Sequence, residues 1–184
     1  GRNPHGLHRF QETLEKEIQL DFIKARTRPS AVYGGHSFIV EAAIGYGGRI
    51  PPEGNAMILR FANRVPLLYQ QGACAITDCV SQVNWKNYGL AQQGLPMGPV
   101  LIMVHVASTN VPFTSESKDA IASIPEIERE IILVLQELGR EVKRYLARRE
   151  KKKQQDDRAR AICSIIPEIA AKVSEIVELP PVDT

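Results

Sequence analysis

GPVLIMVHVAS, residues 98–108, decides the fold. From residue 99 to residue 107 it is apolar almost without interruption, the pattern of a strand covered on both faces. Such a strand lies inside a sheet, so its flanks must supply neighbouring strands and covering helices. Downstream, VPFTSESKDAIASIPEIE (111–128) is a hydroxyl-rich loop with one lysine, Lys118, and a helix follows from about Glu126. Ile127, Ile131, Val134, Leu138, Val142 and Tyr145 recur every three or four residues, giving that helix one apolar face.

Upstream, SFIVEAAIGYGG (37–48) alternates as a half-buried strand does, with Phe38, Val40, Ala42, Ile44 and Tyr46 on one face and Glu41 and Gly45 on the other. IPPEGN (50–55) is a turn, and MILRFAN (57–63) alternates again with Met57, Leu59 and Phe61 inward and Arg60 outward. VPLLY (65–69) is a short third strand, which Pro66 confines to an edge or a strand start. The period then lengthens: Ala73, Ile76, Val80 and Val83 mark an amphipathic helix over about 71–83. Residues 84–98 are a glycine-containing loop. Three strands, a helix, a strand and a long helix predict an α+β fold, a two-layer mixed sheet with helices on one face.

Two ends frame this core. Residues 1–26 carry one weak amphipathic stretch, Phe10, Leu14, Ile18 and Phe22, expected to be a short helix or a lead-in from a preceding domain. The chain begins at Gly1 rather than Met, as expected of a piece of a larger protein. At the other end the helix enters REKKKQQDDRAR, with no packed face past Leu146, and reaches roughly 40 residues or about 60 Å if it runs to Ile165. Pro167 is expected to kink or restart it. Ile165, Ile166, Ile169, Val173 and Ile176 then form a separate apolar stripe ahead of the tail 179–184.

Overall charge is only +2, but it is uneven. Arg140 to Arg160 holds ten Lys/Arg against four Asp/Glu, a local excess of six that leaves the remainder near −4. That basic run is either a solvated spacer or a surface for an anionic partner. Cys74, Cys79 and Cys163 have no C-x-x-C spacing and read as small buried hydrophobes of a reducing, cytoplasmic compartment. No apolar run approaches the ~20 residues that span a bilayer, so no membrane is expected. His5, His8, His36 and His105 lack ligand spacing, and His105, inside an apolar strand, reads as a satisfied core group, so no metal site is expected. Phosphate-binding and dinucleotide-binding glycine motifs and a serine elbow are missing, and no catalytic residue is expected in this chain.

Three stretches go beyond generic pattern: TRPSAVYGGHSFIVEAAIGYGG (27–48), RFANRVPLLYQQGACAIT (60–77) with VNWKNYGL (83–90), and VHVASTNVPFTSESKDAIA (104–122). In this order they resemble the transducer domain of the topoisomerase VI B subunit, an archaeal type IIB topoisomerase of the GHKL ATPase superfamily, over roughly residues 27–178. The resemblance implies a ribosomal-protein-like transducer fold over 27–150, a stalk extension over 151–178, and a relay between an ATPase domain and the DNA gate of a heterotetrameric enzyme. It implies that Lys118 senses the γ-phosphate of ATP, with Ser115 and Ser117 anchoring the loop or helping to hold phosphate. Trp85, Lys86 and Tyr88 match a motif associated with double-stranded DNA, although Trp85 can equally cap the core beneath the preceding helix. The stripe Ile165, Ile166, Ile169, Val173 and Ile176 would dock the A subunit, or else fold back on the domain's own sheet. ATP and Mg2+ would belong mainly to an ATPase domain absent from this chain. The alternative readings are a stand-alone nucleic-acid-binding module and a protein adaptor.

Overall fold

The computed structural model describes Glu12 and residues 15–177. Phe10, Leu14, His5, His8 and the tail 179–184 lie outside those residues. The central strand is β8 (Val100–Ser108), as its unbroken apolar run requires. It pairs antiparallel with β3 (His36–Tyr46) and parallel with β4 (Met57–Ala62), which makes the sheet mixed. β1 (Phe22–Thr27) and β2 (Ala31–Tyr33) both pair with β3, and β5 (Val65–Pro66) closes the other edge in the order β1-β3-β8-β4-β5. Val40, Ala42, Ile44, Ile102, Val104 and Val106 share one face of the sheet and are buried there. The opposite face has its own cluster of Ala43, Ile50, Leu101 and Met103, with Ile18, Leu20, Ile23, Leu59 and Phe61 packed on it.

α1 (Ala75–Gln82) is shorter than the expected helix, because Cys74 is extended and separates it from a 3-10 turn at Gln71–Ala73. The loop 84–98 is also more ordered than its glycines suggest. It holds a second 3-10 turn, Trp85–Tyr88, and a hairpin of β6 (Ala91–Gln93) and β7 (Leu95–Met97). α2 spans Pro125–Val177. Proline suits its first turn, where an amide would have no partner, and Glu126 and Glu128 suit the positive end of the helix dipole. Ile127, Ile131, Val134, Leu135, Leu138, Gly139 and Val142 are buried along it. Each fully buried isoleucine or leucine contributes about 1.5–3 kcal/mol. Arg28 fastens the same stretch, bonding Glu130 at 2.7 Å and Glu137 at 2.6 Å, while Arg26 reaches Glu141 at 2.9 Å.

Three expectations need correction. Residues 22–26 are strand rather than lead-in, and the boundary expected at 26/27 falls inside β1. Phe22 fits the spacing of a helical stripe, but its ladder with Tyr46 prevails over that local pattern. In β4 the faces are reversed: Ile58, Arg60 and Ala62 are buried, and Met57 is exposed. Alternation could not set this register, because both faces of the sheet are apolar and Arg60 finds carbonyl partners inside. Pro167, where a kink or a restart was expected, lies within α2, which continues through it without a restart.

The chain divides into two compact units, residues 1–144 and 145–184. The last fully buried helix residue, Val142, precedes the boundary expected at 150. From Ala147 to Val177 the helix is exposed throughout.

Candidate functional site

Lys118 stands on a built hairpin. Phe113 and Ile121 pair as an isolated antiparallel bridge, Thr114 N–H donates to Ala120 O at 2.9 Å, and Ala122 N–H donates to Pro112 O at 2.7 Å. At the tip, Lys118 N–H closes a turn on Ser115 O at 3.2 Å, and the Ser115 and Ser117 hydroxyls bond each other at 2.6 Å. The side chain of Lys118 is exposed, and its φ of 56° is left-handed, a conformation that costs an L-residue roughly 1–2 kcal/mol. The root of the hairpin is fixed. Ala120 and Ile121 are fully buried, Ile121 O accepts from Ala75 N–H at 3.0 Å, and Ile121 N–H donates to Cys74 Sγ at 3.4 Å. A rigid root and an exposed cationic tip suit contact with an anion brought from outside the chain.

Arg60 is part of that root, and its polarity misled the sequence reading. At 3% exposure its guanidinium donates to Leu67 O at 2.9 Å, Tyr69 O at 2.8 Å and Asp119 O at 3.5 Å. The available signal was a single arginine in a strand otherwise fit for burial on both faces.

Trp85, Lys86 and Tyr88 share the 3-10 turn but face different surroundings. Trp85 is fully buried, and its Nε1–H donates to Val80 O at 2.8 Å. Its ring presents no face for a base to stack on, so among the two roles weighed for it the geometry is that of a core cap. Gln92 locks the turn, accepting from Trp85 N–H at 2.9 Å and donating to Val83 O at 2.9 Å. Tyr88 is half-buried in an edge-on pair with Trp85 and lies over Gly139 of α2. Lys86 is exposed. The close packing at Gly139 was missed; a glycine on the buried face of a strong helix is its sequence signal.

Ile165, Ile166, Ile169, Val173 and Ile176 are each 48–67% exposed. His105 is satisfied: its Nδ1 meets Glu41 Oε2 at 2.9 Å, and its Nε2 accepts the Arg64 amide at 3.1 Å. The hydrogen bond from His105 is the main cause holding the Glu41 carboxyl below its ordinary value. Cys74 and Cys79 are buried as expected, and burial pushes the Cys79 thiol up to about 12, whereas Cys163 is exposed. Among the described residues no three His, Cys, Asp or Glu side chains group as metal ligands, and no helix is long and apolar enough to cross a membrane.

Residues 3–158 match the family model for the topoisomerase VI B subunit, transducer. The match includes residues 3–26, which lie ahead of the three stretches that carry the resemblance. The chain is 49% identical over 178 residues to the B subunit of type 2 DNA topoisomerase 6 from Methanosarcina mazei, covering 96% of this chain and 29% of that protein. Against the protein of the same name from Archaeoglobus fulgidus it is 46% identical over 183 residues, covering 98% and 30%. A solved DNA gyrase B subunit from Myxococcus xanthus superposes with a TM-score of 0.50 at 18% identity, over 77% of this chain and 40% of that one, which shows a shared fold. The chain spans under a third of the length of these two archaeal relatives. With 156 of its residues inside the family match and relatives near half identical, the chain belongs to the transducer family of the topoisomerase VI B subunit.

Proposed function

We propose that this chain is the relay of an ATP-dependent type II DNA topoisomerase, coupling the nucleotide state of an ATPase domain to a DNA gate. The observation that carries the reading is Lys118, exposed at the tip of a hairpin whose root is locked into the core. A compact ammonium there adds attraction for one extra phosphate, which biases docking toward the nucleotide-bound arrangement. ATP, when bound elsewhere in the parent protein, supplies the γ-phosphate charge; Lys118 answers it, with Ser115 and Ser117 shaping the turn behind it. Mg2+ is expected to be held outside this chain. On this reading the chain alone neither hydrolyses ATP nor cleaves DNA, and the reaction class is that of EC 5.6.2.2.

The partners follow from the same reading: the ATPase domain of the same subunit, the A subunit, and double-stranded DNA, within a cytoplasmic heterotetramer. The exposed stripe Ile165, Ile166, Ile169, Val173 and Ile176 supports docking by apolar burial on the A subunit. Lys86 and the basic run 140–160 are suited to phosphate contacts without sequence preference. Trp85 supports that surface from beneath, and Tyr88 holds the turn against α2. Lys118→Ala in the reconstituted parent enzyme tests the reading. ATP turnover and supercoil relaxation should collapse with folding and subunit assembly intact, and unchanged activity refutes the sensor role.

A further inference from the structure

We infer that Arg60 is a positioning residue, holding the Lys118 hairpin and the exposed segment 65–70 as one unit. The functional half of this inference rests on the Lys118 reading; the geometric half does not. Arg60 is 3% exposed and, among the described residues, has no carboxylate partner. A buried guanidinium without a counter-ion is a poor way to fill a core, since an apolar side chain of similar volume fills it without desolvating a charge. What the guanidinium adds is directional donors. Nη2 binds Leu67 O and Tyr69 O, while Nη1 reaches Asp119 O, the residue beside Lys118.

Those carbonyls belong to two separate pieces of surface. One carries Val65, Leu68 and Tyr69, which are 60%, 72% and 68% exposed. The other carries Lys118. The bonds to 67 and 69 are short and the bond to 119 is long at 3.5 Å, so the hairpin is the side more easily released. A domain docking on both pieces would meet them in fixed relation only while Arg60 spans them. Lysine at this position keeps the charge but, as a compact point donor, cannot span both sides.

The first test is hydrogen exchange on the full 184-residue chain with Arg60→Lys, and with Arg60→Gln as the second variant. The Thr114 and Ala122 amides should exchange about two- to threefold faster, the loss of one long and therefore weak bond, while the β8 amides keep their protection. Unchanged hairpin amides overturn the inference. So does an equal rise at every amide or a failure of both variants to fold, because each marks a general packing role. The second test is a cycle in the reconstituted enzyme with Lys118→Ala, Arg60→Lys and both together. Arg60→Lys should slow ATP turnover alone and add nothing once Lys118 is gone; independent, multiplying effects overturn the coupling. If Lys118→Ala has no effect, the sensor reading falls, and hydrogen exchange alone decides whether Arg60 positions the hairpin.

Discussion

Gly139→Ala should change sign with its neighbour. In a helix interior, glycine costs about 1 kcal/mol relative to alanine, so the substitution would ordinarily stabilise α2 by that amount. Here the new Cβ would lie 2.5 Å from Tyr88 Cδ2, 2.7 Å from Cε2 and 2.8 Å from Cγ. Rotating the ring does not clear the clash, because Cγ lies at its root. Tyr88 must leave, giving up half-buried packing and an edge-on pair with Trp85 at 6.1 Å and 69°. Such a pair contributes about 0.5–1.5 kcal/mol beyond its burial, and overpacking costs about 1–3 kcal/mol. Set against the helix gain, the expected result is a loss of about 1 kcal/mol, or roughly 2–4 °C in Tm for a domain of this size. Tyr88→Ala removes the obstacle, so in that background Gly139→Ala should stabilise by about 1 kcal/mol. Urea unfolding of the chain, both single variants and the double variant measures a coupling of about 2 kcal/mol. Stabilisation of equal size in both backgrounds refutes the close approach of α2 to the 85–88 turn.

Further outcomes follow from the same geometry. Lys118→Gly should be more stable than Lys118→Ala by about 1 kcal/mol in thermal unfolding, because only glycine adopts the left-handed φ freely; equal Tm values refute that conformation. A disulfide reagent at neutral pH should modify Cys163 alone until denaturant releases buried Cys74 and Cys79, so rapid loss of a second thiol contradicts their burial. Glu41 titrates below its ordinary value, so it contributes stability above the ordinary carboxylate range and loses it as pH falls through the depressed value. Glu41→Gln should therefore flatten the decline in urea midpoint between about pH 6 and about pH 3, and an undiminished slope assigns the acid sensitivity elsewhere. Duplex DNA should leave Trp85 emission unquenched, and direct quenching by bases would require a turn more open than the one described.

The sheet was legible where burial was asymmetric. β3 keeps Phe38, Val40, Ala42 and Ile44 inward because Glu41 marks the other phase, and β8 reads as central because nothing polar interrupts it except His105. β4 was misread for the converse reason. With both faces apolar, alternation carries no phase, and the only polar residue was the one that the core had satisfied. β1 was lost because Phe22 fits a helical and an extended pattern equally well, and only pairing with β3 separates them. The resemblance located Lys118, Trp85, Lys86 and Tyr88, but no residue pattern distinguishes an exposed ring from a buried one. That difference arises from Val80 O and Gln92, which meet Trp85 only after the chain has folded.

The left-handed φ of Lys118 does not by itself say what the hairpin is for. Glycine or asparagine would hold a positive φ at less cost, and Gln19, Arg64 and Gln70 adopt one as well, so the conformation alone assigns Lys118 no role and the charge must be tested separately. Lys118→Ala and Lys118→Gly remove the same charge but differ in backbone strain, so the pair separates chemistry from conformation. If charge is what the hairpin delivers, both variants lose coupled ATP turnover to the same extent while their stabilities diverge. If turnover instead follows stability, the loop acts through its shape, and the reasoning from an exposed cation fails.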